Sequence, residues 1–252
     1  MKRLRKVPEV TLLFWIIKLL TTAMGESTSD FLVHQFDPIF SVLLGALGFT
    51  LAIILQLVVK KYIPWIYWLT VTMVAIFGTM AADVLHIGLG IPYVVSTIAF
   101  FVILLLIFGV WYISEKTLSI HSIFTIKREL FYWATVITTF ALGTAAGDMT
   151  ATTLNLGYLH SGILFGIIFL IPAIGVWKLR FNHIFAFWFA YILTRPFGAS
   201  FADWFGRTPD LGGIGFGTGK TSIILGLLIV CLVAYISFAK KTKQTAQQAS
   251  LG

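Results

Sequence analysis

Charge is scarce in this chain: 11% of its 252 residues are charged, and only ten of them are acidic. A soluble domain usually carries about a quarter charged residues, so the shortage excludes an ordinary soluble fold. There is one cysteine, Cys231, which excludes an intrachain disulfide and a thiolate metal centre. No Ser-His-Asp set, HExxH segment or redox pair is placed to favour catalysis, which argues against an enzyme. The first apolar stretch has no small-residue cleavage site, so it is expected to be retained rather than removed as a leader.

Apolar residues are what the chain has in abundance. They make up 58% of it, and the mean hydropathy is +0.94. Crossing a hydrocarbon layer of roughly 30 Å takes about 20 apolar residues in a helix. Eight such stretches can be drawn, at about 9–30, 39–59, 63–84, 91–113, 129–149, 158–177, 183–204 and 221–239. The expectation is an all-α, polytopic membrane protein of eight transmembrane helices.

The net charge of +8 does not point to nucleic acid, because of where it lies. Counted from a cytoplasmic amino terminus, Lys2, Arg3, Arg5, Lys6, Lys60, Lys61, Lys116, Lys127, Arg128, Lys178, Arg180, Lys240, Lys241 and Lys243 fall on one side of the spans, and Arg207 and Lys220 on the other. That asymmetry puts both termini in the cytoplasm. The lipid bilayer, with anionic headgroups facing the basic side, is the expected partner.

A motif recurs four times: an aromatic residue and Trp, nine residues, Gly, four residues, Asp. The copies are Phe14-Trp15 with Gly25 and Asp30, Tyr67-Trp68 with Gly78 and Asp83, Tyr132-Trp133 with Gly143 and Asp148, and Phe187-Trp188 with Gly198 and Asp203. A fixed internal period dictates architecture before any local feature does. Each unit supplies two spans, giving repeats of about 9–59, 63–113, 129–177 and 183–239 within a single transmembrane domain, 1–252. Copies one and three, and two and four, are separated almost equally, which suggests duplicated halves, 1–125 and 126–252. Equal orientation of the units makes them parallel repeats. The connector between halves, Ser114 to Glu129, reads as an ordinary solvated link with room for a short surface helix. The even spans carry small residues at close-packing intervals, Ser41, Gly45 and Gly48 in one and Gly162 and Gly166 in another, and are expected to act as buttresses.

The chemistry concentrates on the odd spans. Trp and Asp of each copy share a helix face about 22 Å apart. Trp15, Trp68, Trp133 and Trp188 suit an interfacial aromatic belt or the inner end of a pathway. The glycines serve close packing or a locally unwound turn. Asp30, Asp83, Asp148 and Asp203 fall near helix carboxyl ends, where the dipole disfavours an anion. A bound cation, shared protons, a basic partner or an open outer vestibule would compensate them.

Going back along that face in steps of four gives Glu26, Thr22 and Lys18 in the first repeat; Thr79, Ala75 and Val71 in the second; Thr144, Phe140 and Val136 in the third; Ala199, Arg195 and Tyr191 in the fourth. Lys18 and Arg195 are the basic residues inside the spans, and leaving either unpaired in lipid costs at least about 2.5–3.5 kcal/mol. Both are expected to face carboxylates, Arg195 reaching Glu26 or Asp30. His34, His86 and His160 follow as outer residues that would favour a transition metal if they joined the carboxylates, and otherwise read as exposed loop histidines. The segment Gly215 to Thr221 imitates a phosphate loop but has Ile214 where that motif needs glycine. Residues 208–219 read as a flexible outer loop.

These four motifs, with Gly25-Glu26 in the first unit and Arg195-Pro196-Phe197-Gly198-Ala199 in the fourth, resemble a prokaryotic membrane-protein family defined by a tandem repeat of unknown function, usually present four times. The resemblance covers nearly the whole chain. It implies a multi-pass protein of the prokaryotic cytoplasmic (inner) membrane and brings no established activity.

The expectation for function is therefore drawn from residue chemistry: a transporter or permease for a small cation, divalent metal favoured, with proton coupling left open. Glu26, Asp30, Asp83, Asp148 and Asp203 would form the ion, metal or proton site, with Thr22, Thr79 and Thr144 as auxiliary oxygens and Lys18 and Arg195 setting the charge balance. A bound divalent cation is the candidate cofactor. The alternative is a structural or membrane-anchoring module whose polar residues only hold the bundle together. The sequence leaves oligomeric state open, and also whether the units form one ring or two pairs.

Overall fold

The computed structural model describes residues 5–249, and all their side chains except those of Ile87 and 240–249. Of the basic residues counted above, Lys2 and Arg3, and the side chains of Lys240, Lys241 and Lys243, lie outside the described residues. Eight long helices follow one another, and no strand occurs among the described residues. They are α1 (Leu12–Gln35), α2 (Pro38–Val58), α3 (Pro64–Asp83), α4 (Tyr93–Glu115), α5 (Ile126–Asp148), α6 (Gly157–Leu179), α7 (His183–Gly206) and α8 (Thr218–Ala249).

Local chemistry accounts for the boundaries. Thr11, Asp37, Thr125 and Asn182 cap α1, α2, α5 and α7, each side chain accepting a backbone N–H of the first turn, which satisfies donors a helix start leaves orphaned. Pro38 and Pro64 stand in the first turns of α2 and α3, where a missing N–H costs nothing. Lys116 and Arg180 end α4 and α6 in the left-handed conformation.

Seven of the eight helices are long and apolar enough to cross a membrane. The exception is α1, which carries Lys18, Glu26 and Asp30. Its polarity is turned inward: all three side chains are buried.

Helices α1, α3, α5 and α7 close into a ring, each packed against two others in the order α1, α3, α5, α7 and back to α1. The open question of one ring or two pairs is thus answered as one ring. The even helices lie outside, and each packs chiefly on the odd helix that follows it: α2 on α3, α4 on α5, α6 on α7, and α8 back on α1. Burial sorts the same way. The apolar windows of α3, α5 and α7 are 56–72% buried, those of α2, α4, α6 and α8 only 11–28%, so the outer helices show their leucines and isoleucines outward. Glycines of the outer helices receive bulky side chains of the inner ones: Gly45 lies on Met80, Gly162 on Phe201 and Gly166 on Phe197. This is the close approach that lets helices pack where lipid removes the hydrophobic drive.

Two expectations need correction. The connector is not a plain solvated link, because Ile120 and Ile123 are buried in the apolar core beside Val7 of the amino-terminal segment. The Leu118 carbonyl also accepts the Trp188 indole N–H at 2.9 Å. Nor do the motif tryptophans form a lipid-facing belt. Trp68, Trp133 and Trp188 are buried, and Trp15 is half-buried against Phe169 and Phe187. With Phe14, Tyr67 and Tyr132 they build an aromatic floor at one end of the ring.

Candidate functional site

The inner faces of the ring helices are read by stepping four residues at a time: 14, 18, 22, 26 and 30 on α1, and the equivalent positions on α3, α5 and α7. Five layers result. Phe14, Tyr67, Tyr132 and Phe187 belong to the aromatic floor. Above it come Lys18, Val71, Val136 and Tyr191, then Thr22, Ala75, Phe140 and Arg195, then Glu26, Thr79, Thr144 and Ala199. Every residue of these last three layers is at most 3% exposed. The four aspartates form the fifth layer.

The motif glycines set the ring diameter. A Cβ on Gly25 would meet Ala75, on Gly78 Phe140, on Gly143 Arg195 and on Gly198 Thr22, each at 2.2–2.9 Å from its nearest atom. In every case the clash is with the residue three before the next helix's own glycine, so one contact is repeated four times around the ring. Close packing, not an unwound turn, is therefore the glycine's role.

Arg195 occupies the middle of the column. One guanidinium nitrogen pairs with Glu26 and donates to Thr79, and to Thr144 at 2.8 Å. The other donates to the Thr22 carbonyl at 3.4 Å. All four ring helices thus meet at one side chain. The Thr22 hydroxyl donates to the Thr194 carbonyl at 3.1 Å, two residues before Pro196, whose missing N–H leaves the Ile192 carbonyl without its helical donor.

Lys18 departs from its expected pairing. Its ammonium has no hydrogen-bond partner and lies 4.0 Å from the centre of the Phe140 ring and 4.4 Å from that of Tyr191. Cation–π attraction replaces the carboxylate.

At the far end, Asp30, Asp148 and Asp203 are buried and Asp83 is half-buried. The carboxylates are within electrostatic reach of one another and of Glu26. Here the structure adds a residue that sequence reading left in an outer loop. Arg207 bonds Asp203 at 3.0 Å and Asp30 at 3.2 Å, and its guanidinium lies 5.1 Å from the Tyr158 ring centre. Burial alone would lower its pKa, but Asp203 and Asp30 raise it above the ordinary arginine value, so it stays a cation. The signal was present in the sequence as the i, i+4 spacing of Asp203 and Arg207. Five carboxylates now face three cations, Lys18, Arg195 and Arg207, a formal −2.

The chain leaves α-helical geometry just past two of the aspartates. π-helical turns run Val84–Gly88 and Met149–Thr153, directly after Asp83 and Asp148, a device frequent at functional sites. His86, in the first of these turns, is buried against Tyr93 and Ser96, whereas His34 and His160 are exposed and bond their own helix carbonyls. None of the three bonds a carboxylate. Among the described residues, no group of three or more His, Cys, Asp or Glu side chains is gathered closely enough to hold a metal.

A second buried charge cluster escaped the sequence reading. Lys6 pairs with Glu129, which is fully buried and also accepts from Gln56 at 2.9 Å, while Lys6 donates to the Leu57 carbonyl. It ties the amino-terminal segment to α2 and α5 beneath the aromatic floor.

No curated protein and no solved structure matches the chain. A family model does, in four consecutive segments, residues 13–62, 66–117, 131–180 and 186–242, each containing one copy of the motif and its two helices. The chain therefore belongs to the family described as Repeat of Unknown Function (DUF347).

Proposed function

We propose that the protein is an integral membrane permease for a small cation, that its eight helices all cross the bilayer, and that the outer aspartate layer is where the cation binds. The observation that carries this reading is the convergence of four equivalent faces on one axis, polar from Arg195 to Asp203 and closed below by aromatics. Charged groups at membrane depth generally mark an ion or substrate path. At 24 residues, α1 is about 36 Å long, enough to span, and its charges are tolerable because they face the ring. An even number of spans places both termini on one side, the cytoplasmic one by the basic bias, in a prokaryotic inner membrane. Floor aromatics of all four units meet one another, and three of the four positions after the glycines, Glu26, Thr79 and Thr144, reach Arg195; both matches support helices running in the same sense as parallel repeats.

The middle layer favours a second role beside the first. Through its two terminal nitrogens Arg195 is bound to the three other ring helices and acts as a staple for the ring, which leaves the outer carboxylates as the exchangeable part.

The test is uptake into proteoliposomes containing the purified full chain, with Rb⁺, Mn²⁺, guanidinium and methylammonium as probes. The permease reading expects one cation class to accumulate and Asp83→Asn to abolish that uptake while elution profile and thermal stability stay nearly unchanged. If no probe crosses, or if Asp83→Asn lowers folded yield with no separate flux phenotype, the polar residues are a structural network in an anchoring module.

A further inference from the structure

The outer layer consists of two unlike halves. In one, Asp203 of α7 and Asp30 of α1 share the guanidinium of Arg207 beside the Tyr158 ring. In the other, Asp83 of α3 and Asp148 of α5 are also on neighbouring ring helices, and neither forms an ion pair among the described residues, Arg195 and Arg207 acting on them only at longer range. Tyr93 stands in the first turn of α4 as Tyr158 stands in that of α6, each on the outer helix packed against a ring helix of its own half, α4 on α5 and α6 on α7. The Tyr93 phenol is within electrostatic reach of Asp148 and Asp83, and of Arg207. The two halves thus share a plan, two carboxylates and a tyrosine, and differ in that one contains its own cation.

Asp148 supplies the second observation. It is only 8% exposed, yet its carboxylate makes no hydrogen bond or ion pair among the described residues. Buried carboxylates ordinarily have such a partner. Asp83 and Tyr93 are only half-buried, so the unpaired half is the side open to entry.

We propose that the Asp83–Asp148–Tyr93 half binds the head of a small organic cation, a guanidinium or primary ammonium group, in the manner in which the other half holds Arg207. The inference rests on the permease reading and names its substrate class. A planar or compact N–H donor matches two carboxylates with a charge-assisted bond to each, and an aromatic ring beside it adds cation–π attraction. A divalent metal asks for six or more oxygen ligands at about 2–2.6 Å, and here a fixed guanidinium already occupies the adjoining pair.

Calorimetric titration of the full chain in nanodiscs with guanidinium and with methylammonium, against Mn²⁺, tests this. The expected result is one organic cation bound per chain, with affinity reduced tenfold or more by Asp148→Asn and severalfold by Tyr93→Leu, while Tyr93→Phe is nearly silent. Arg207→Gln should open the second half and raise the stoichiometry to two. If Asp148→Asn fails to fold, the Tyr93 pair and the Arg207→Gln stoichiometry still decide. Binding of Mn²⁺ that guanidinium does not displace would overturn the substrate class and leave the permease reading standing. Binding of no cation, together with no uptake of any cation, would remove both.

Discussion

Gly143 shows how little freedom the ring leaves a single residue. Its missing Cβ would fall 2.3 Å from Arg195 Cγ, and Arg195 has no room to yield because four partners hold its guanidinium. Gly143→Ala should therefore destabilise by about 1–3 kcal/mol, the usual cost of overpacking. Gly109→Ala, where the new methyl meets nothing within 4 Å, should be neutral or stabilising by a few tenths of a kcal/mol. Thermal unfolding in one detergent compares the two, and equal effects would refute the ring contact. Lys18 makes the opposite case. Replacing a buried ammonium that lacks an acceptor with an apolar chain of similar length is often neutral or stabilising, so Lys18→Met should hold or raise the unfolding temperature while changing cation uptake. A clear fall in that temperature would mean the amine has a partner. The face bearing Lys18, Thr22, Glu26 and Asp30 was legible from spacing alone, and the partner of Arg195 was narrowed to Glu26 or Asp30, of which the structure has Glu26. The aromatic seat of Lys18 was not, because Phe140 and Tyr191 come from two other helices and nothing local marks them as neighbours.

At the scale of helices, the pattern that fixes the fold is a seam repeating every four residues. It drifts by about 40° per step against the 3.6-residue turn, so helices that keep it inside must wind about the common axis. Helix positions and the inner role of the odd helices followed from the sequence. That each outer helix packs on the following repeat's inner helix did not, since span order carries no information about which neighbour a helix leans on. The buried place of Glu129 was hidden for a similar reason: it opens a span after a charged connector, and only Lys6 and Gln56, both remote in sequence, make it an interior residue. Glu129→Gln would leave the Lys6 ammonium buried without its counter-charge, at a cost of about 3 kcal/mol. The amino-terminal segment should then be cleaved faster by trypsin at Arg5 and Lys6, and Lys6→Met in the same chain should restore protection. Unchanged cleavage would show that the tether does not hold the segment.

For the whole molecule, we propose that the closed aromatic floor and the tethered connector face the cytoplasm and the aspartate layer the opposite side. In a Cys231→Ser background, Asp210→Cys should react with an impermeant maleimide on intact cells, and His121→Cys only after the membrane is opened. The reverse pattern would invert the molecule and the direction of the proposed path. The central claim, that the outer carboxylates bind a cation that then crosses, is met most directly by charge movement. Proteoliposomes adsorbed on a solid-supported membrane and given a jump in guanidinium or methylammonium should yield a saturable transient current, absent in Asp148→Asn and retained in Glu115→Gln, whose carboxylate pairs with Arg128 and Lys127 away from the axis. A current equal in both variants, or none from any cation in the intact protein, would contradict it.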